Sequence, residues 1–273
     1  MDTAVSSSQP SLQTPKLSAL VVARNEERRL GDCLSTLAFA DEIVVMLDNT
    51  TDGSEAIARK YTDRIVTGTW PLEGDRRNAG IAACSGTWTL EIDADERVPP
   101  ELAAEILDTV RTSTFDYHSI PVNNYVGKRL VYYGWGASFG KGSYTGLFRK
   151  GCKYWHHQRV HPKLTMSGQR GPVLQQRLSH YVDENVSDML SRLNRYSTSH
   201  ALDLIDSGNI GTYRHNVLRI LSRFYKCFVL RKGYREGAMG FVIAACAGLY
   251  PILSYVSASE ILADRGLKDQ AQQ

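Results

Sequence analysis

Asp93 and Asp95 stand two positions apart, directly after the apolar stretch WTLEI at residues 88–92. Two carboxylates so close repel one another unless a cation or buried donors compensate. Mg2+ and Mn2+ take oxygen ligands and commonly bridge such a pair to a diphosphate, where their charge favours departure of an anion. The same residues also suit a helix N-terminus, because Pro99 and Pro100 follow. Arg76, Arg77 and Asn78 come after Gly74 and Asp75, at the expected start of a helix. Guanidinium groups there fit a phosphate, or simply a solvated basic turn. Asp48 closes a second apolar run and can accept hydrogen bonds from a ribose or a base edge, or cap the turn at 49–53. Arg24, Asn25 and Glu26 follow a third run. His156, His157 and His161 form a local cluster that lacks a fourth ligand and the H-E-x-x-H spacing of a helical zinc site. They read as loop or strand-edge histidines, with His161 as the one that can serve an acceptor or a metal.

Positioning these groups requires a particular scaffold. Residues 17–23 and 42–47 are continuous apolar runs of strand length, and 64–66 is a shorter strand. Between them, 26–37 places Leu30, Leu34 and Leu37 on one helical face, and Ser54 is placed to cap a helix over 56–61. Further helices are expected over 76–84 and 101–110, the latter opened by proline in its first turn. Strand alternating with helix implies a parallel sheet covered on both faces, and ligands of such sheets bind outside the carboxyl ends of the strands. Three polar clusters, each following an apolar strand, would then share one rim. Beyond residue 115 the expected strands are 117–122 and 146–149, the Gly- and aromatic-rich stretch 125–142 suits a substrate-facing loop, and 188–206 reads as a helix.

The 273 residues are 42% hydrophobic and 22% charged, which excludes a disordered chain. A net charge of +3 gives no argument for nucleic acid. The distribution is more informative: no acid occurs between Asp206 and Glu236, where Arg214, Arg219, Arg223, Lys226, Arg231, Lys232 and Arg235 lie. On an amphipathic helix these suit an anionic membrane surface. Residues 237–259 then carry no charge, and are expected to form an interfacial or partly buried helical hairpin, with a packed bundle or a membrane span as alternatives. The cysteines are scattered and read as reduced thiols of a cytoplasmic protein. Residues 1–15 are polar, lack the apolar core of a secretory signal, and read as a disordered tail. No G-x-G-x-x-G or G-x-S-x-G motif is present, which disfavours a dinucleotide-dependent dehydrogenase and an α/β-hydrolase.

Together, Arg24-Asn25-Glu26, Asp48 with Thr51-Asp52-Gly53, Arg77-Asn78 and Asp93-Ala94-Asp95-Glu96-Arg97 resemble family 2 glycosyltransferases, nearest the bacterial lipopolysaccharide core β-glucosyltransferases. The resemblance implies the GT-A fold, Rossmann-like and α/β, with a mostly parallel sheet, here followed by a helical, membrane-associating C-terminal region. It implies a glycosyltransferase domain over 16–207, divided into a nucleotide-sugar half (16–110) and an acceptor half (111–207), before the region 208–273. It also implies a nucleoside-diphosphate hexose donor such as a UDP-sugar, a divalent Mg or Mn cofactor, inversion at the anomeric carbon, and a glycan or glycolipid acceptor. Arg24, Asn25, Glu26 and Asp48 would face the nucleoside, Arg77 and Asn78 the phosphates or ribose, and Asp93 and Asp95 the donor and metal. An acceptor base is also needed, and relatives often have Val-His-Glu where this chain has Val160-His161-Pro162. His161 is the candidate, with Asp183 or Glu184 as substitutes. A polyprenyl-phosphate glycosyltransferase and a non-catalytic nucleotide-sugar or glycan-binding module are the alternatives. The expected location is peripheral, on the cytoplasmic face of the inner membrane.

Overall fold

The computed structural model of the protein describes residues 16–135, 140–159 and 162–271. Its centre is a parallel unit. Strand β1 (Leu17–Ala23) lies between β2 (Glu42–Asp48) and β4 (Trp88–Asp93), and β3 (Ile65–Gly68) extends the sheet beyond β2. All seven residues of β1 are buried, as a strand covered on both faces requires. The pleat sorts them: Leu17, Ala19, Val21 and Ala23 pack with α1 (Leu30–Ser35) and α4 (Pro100–Thr112), while Leu20 and Val22 face α3 (Glu73–Ala83). The short helix α2 (Ser54–Ala58) joins β2 to β3.

After α4 the chain leaves the parallel pattern. Strands β6 (Tyr117–Val126) and β8 (Ser143–Arg149) are antiparallel and attach to the sheet through β4. Strand β11 (Leu178–Asp183) runs parallel to β6 and carries the two-residue β5 (Glu96–Arg97) on its far side, so the path is β3-β2-β1-β4-β8-β6-β11-β5. Strand β7 (Arg129–Val131) pairs with β6, while β9 (Lys153–Trp155) and β10 (Leu164–Met166) form a separate ribbon.

Several local expectations change. The helix expected over 26–37 begins only at Leu30, because Asn25 takes φ 56° and residues 26–29 form a turn in which the Leu30 amide donates to the Glu26 carbonyl. Ser54 does not cap α2: Gly53 holds the N-cap position, and the Ser54 hydroxyl accepts instead from the Glu26 amide at 2.9 Å, tying two strand ends together. Helix α3 starts three residues early at Glu73, where the amides of Glu73 and Gly74 donate to the Gln158 carbonyl. Gly74 is required there, since a Cβ would lie 1.9 Å from the His156 carbonyl oxygen.

The C-terminal helices are α5 (Val186–Asp206), α6 (Tyr213–Tyr225), which runs into a π-helical turn (Lys226–Leu230), and α7 (Ala238–Ala271). Asn185 caps α5 and Thr212 caps α6 through side-chain oxygens. The uncharged segment is part of one continuous helix, not a hairpin. Pro251 removes one N–H from α7, but Ala244, Ala247, Tyr250 and Ala258 are buried and carry the helix past it. By length and composition the stretch Ala238–Gly266 could span a membrane, yet half of its most apolar window is buried within the protein. One apolar cluster joins Val126, Val131, Trp135 and Val182 from the sheet to Met189, Leu193, Cys227 and Ile243, so packing continues across residues 208–211.

Candidate functional site

Register fixes the rim. Val22 of β1 lies opposite Asp93, and Ala23 lies opposite Leu47, which places Asp48 and Asp93 at the carboxyl ends of the strands on either side of β1. Along β4 the period of two puts Glu91 and Asp93 on the α3 side, with Leu90 and Ile92 on the other. Arg77, one turn into α3, reaches both acids: Nη1 donates to Glu91 at 2.6 Å and Nη2 to Asp93 at 3.0 Å, while Nε donates to Glu73 at 2.9 Å. Its guanidinium also lies over the Trp155 ring, 5.3 Å from the centroid. Arg77 is therefore committed to holding carboxylates in place. Glu91 is 2% exposed and is also paired with Lys153 at 2.7 Å.

Asp93 has a second cation. Lys141, just before β8, places Nζ 3.2 Å from Asp93 Oδ2 and 2.6 Å from Glu96 Oε1, above the Tyr144 ring. Burial alone would raise the Asp93 carboxyl, but Arg77 and Lys141 more than offset it and hold the group ionised, well below the usual carboxylate range. Burial pushes Glu96 up, and the Lys141 ammonium only partly offsets this. Burial would lower the Lys141 ammonium, but Glu96 and Asp93 raise it.

Asp95 is held differently. Its Oδ2 lies 3.4 Å from His180 Nε2, and His180 Nδ1 is 2.9 Å from Asn124 Oδ1, so β11 and β6 orient it through a relay. Burial again acts upward and His180 downward, and the net direction is down. The second oxygen, Asp95 Oδ1, is buried without a hydrogen-bond partner. Glu26 shows the opposite tendency: burial first, then the nearby Asp95 charge, push its carboxyl up to about 7.

Asp48 accepts from the Trp70 amide at 3.0 Å and from Arg76 Nη1 at 3.0 Å. Asn25 accepts from the Thr51 amide at 2.8 Å, locking the first rim loop to the second, and Arg24 is exposed beside it. Asn78 turns away from this rim: its amide exchanges two hydrogen bonds with the Trp155 backbone, 2.8 and 3.0 Å, and binds β9 to α3. His156 bonds Thr165 and His157 pairs with Asp75, so these two serve separate partners. His161 lies outside the described residues. Asp183 is closed off by a bidentate pair with Arg192 at 2.9 and 2.7 Å, whereas Glu184 is exposed. Among the described residues no three His, Cys, Asp or Glu side chains form a ready-made metal cage.

Glu91, Lys141, His180 and Asn124 also shape the site, though no motif in the sequence marks them for it. His180 and Asn124 reach Asp95 only because β11 and β6 pair in parallel, which no local pattern announces.

Comparison with known proteins agrees with this architecture. Over 261 residues, covering 92% of this chain and 94% of the relative, the protein is 26% identical to the lipopolysaccharide core biosynthesis glycosyltransferase LpsC of Rhizobium meliloti. It is 24% identical over 245 residues to an uncharacterised glycosyltransferase of Rickettsia conorii, covering 84% of each chain. The crystal structure of S. aureus TarS 1–349 in complex with UDP-GlcNAc superposes with a TM-score of 0.50 at 14% identity, over 89% of this chain and 88% of TarS, a likeness of fold. The glycosyl transferase family 2 model matches residues 18–156, just over half of the sequence, and the chain belongs to that family.

Proposed function

We propose that the protein is an inverting hexosyltransferase that moves a sugar from a nucleoside-diphosphate donor, UDP-hexose in the first instance, to a saccharide hydroxyl of a lipid-linked glycan such as lipopolysaccharide core. One observation supports the reading: Asp48 and Asp93 close β2 and β4 on either side of β1, with Asp95 two residues beyond β4, at the carboxyl ends of the strands where a sheet of this kind binds ligands. The likeness to LpsC over nearly its whole length supports the acceptor class.

In this mechanism Asp48, together with Arg24, Asn25 and Glu26, receives the nucleoside. Arg77 keeps Asp93 aimed at the donor sugar and diphosphate, and Asn78 supports the site through β9. A divalent ion fits Asp95, whose buried Oδ1 lacks a partner, with the diphosphate supplying oxygens that the protein does not. An Mg2+ or Mn2+ ion held there would supply positive charge for the departing nucleoside diphosphate. Lys141 already brings one positive charge to the neighbouring Asp93 and Glu96. A single in-line displacement also requires a base for the acceptor proton. His161 is proposed for it, since Asp183 is bound by Arg192 on both oxygens.

The helix α6 exposes Leu218, Leu221 and Tyr225 beside Arg219, and the next turn adds Lys226 and Leu230. This face would rest on the anionic inner surface of the cytoplasmic membrane, next to the lipid-linked acceptor.

The test is a donor screen with and without Mn2+, scored by release of nucleoside diphosphate. Asp95→Asn should fold normally and lose about a hundredfold in rate, about 2.7 kcal/mol of barrier. Full activity of this variant removes the metal and donor role. Transfer to polyprenyl phosphate but to no saccharide hydroxyl would redirect the acceptor assignment.

A further inference from the structure

A cavity of about 460 Å³ lies against the same segment that carries Lys141. Gly140 and Gly142 line it, while the Lys141 side chain between them turns to Asp93 and Glu96. The Asn124 side chain fixes this wall, donating to the Lys141 carbonyl at 2.9 Å and pairing with His180, which holds Asp95. The cavity is thus separated from the acidic rim by a single stretch of backbone.

Its lining has a consistent chemistry. Arg177 and Arg231 line it, and no acidic residue does so among the described residues. Among the described residues neither arginine has an acidic partner there, and Arg231 is steadied by donating to the Trp135 carbonyl at 2.8 Å. Tyr132 is 64% exposed, leaving an aromatic face for the apolar side of a sugar ring. Asn123 Oδ1 is buried with no hydrogen-bond partner, an acceptor suited to a sugar hydroxyl. Two guanidiniums with no acid call for an anion that carries its own charge into the site.

We infer that this cavity is the acceptor subsite and that it takes a saccharide bearing a carboxylate or a phosphate. The anion binds Arg177 and Arg231, the ring lies on Tyr132, and a hydroxyl donates to Asn123. The inference rests on the transferase reading for the word acceptor, but the binding chemistry stands on the cavity alone.

The experiment is calorimetric titration of the full-length protein with methyl β-glucuronide, glucose 6-phosphate and methyl β-glucoside, with UDP titrated separately. The two anionic sugars should bind at least tenfold more tightly than the neutral one, and the tighter of the two identifies carboxylate or phosphate as the group recognised. Arg177→Gln and Arg231→Gln should each weaken the anionic sugars tenfold or more while UDP affinity changes less than twofold. Equal binding of all three sugars, or anionic binding unchanged in both variants, overturns the subsite. If the variants abolish anionic-sugar binding and UDP does not bind the wild type, the subsite stands and the transferase reading fails. Retained UDP affinity and an unchanged thermal midpoint show that neither variant has lost its fold.

Discussion

The two sides of the 140–142 segment differ in how charge is settled. On the rim side Asp93, Asp48 and Glu91 each face a guanidinium, with an ammonium added to Asp93 by Lys141 and to Glu91 by Lys153. On the cavity side two arginines have no acidic neighbour in the lining among the described residues. A carboxylate pinned by arginine is pre-oriented and does not reorganise when a ligand arrives, whereas an unpaired arginine gains most from a ligand that brings the missing charge. The rim is therefore rigid before binding, and the cavity is completed by it.

The comparison breaks most visibly at Arg77. Removing a partner from a buried charge network leaves carboxylates uncompensated, at a cost of about 3–5 kcal/mol. Arg77→Met leaves Glu91 with Lys153 alone and Asp93 with Lys141 alone, and urea unfolding should show a loss at the lower end of that range. Arg177→Gln, on the cavity side, should change stability by less than about 0.5 kcal/mol, as expected for an exposed residue without an ion pair. Equal losses in the two variants would erase the distinction between the two sides.

How much of this the sequence announces depends on distance along the chain. The ends of the parallel strands are marked locally, because an apolar run that stops at Asp48 or Asp93 states both the strand and its boundary. Lys141, His180 and Asn124 carry no such mark. They reach Asp93 and Asp95 only after β8, β6 and β11 assemble, and strand pairing between distant segments has no local period. Asn78 shows a second limit: its residue type suits a phosphate, yet an amide suits a neighbouring backbone equally well, and Trp155 claims it. In α7, composition gave length and apolarity but not continuity, since whether Pro251 ends a helix depends on the packing around it.

Glu26 is the exception on the rim and gives a smaller effect. Its carboxyl is raised from 4.5 to about 7 by burial and by Asp95. A group raised on folding contributes its stability fully below pH 4.5, and that contribution is lost as pH rises through about 7. Ionised Glu26 should therefore cost the donor-free protein about 1–2 kcal/mol at pH 8, after discounting for its partial exposure. Glu26→Gln should melt higher than the wild type at pH 8 and close to it at pH 4.5. A wild-type advantage at pH 8 would place Glu26 among the paired acids and remove the exception.

The smallest effect on stability lies at the outer face of α6, where it is also the most specific. Leu218 and Leu221 are 66% and 69% exposed, so replacing either by glutamate removes little packing and should move unfolding by less than about 0.5 kcal/mol. On a membrane the same leucine would bury most of its side chain, worth roughly 1.5–3 kcal/mol, and a new carboxylate would oppose an anionic surface. Leu221→Glu should therefore lower sedimentation with phosphatidylglycerol-containing vesicles about tenfold, and salt should weaken the wild type through its arginines and lysines. Substitution of Leu34, fully buried beneath the sheet, does the reverse: Leu34→Ala should cost about 2–5 kcal/mol and leave vesicle affinity of the folded fraction unchanged. If Leu221→Glu sediments like the wild type, the exposed apolar face of α6 has another use, and the cationic stretch after Asp206 acts by charge alone.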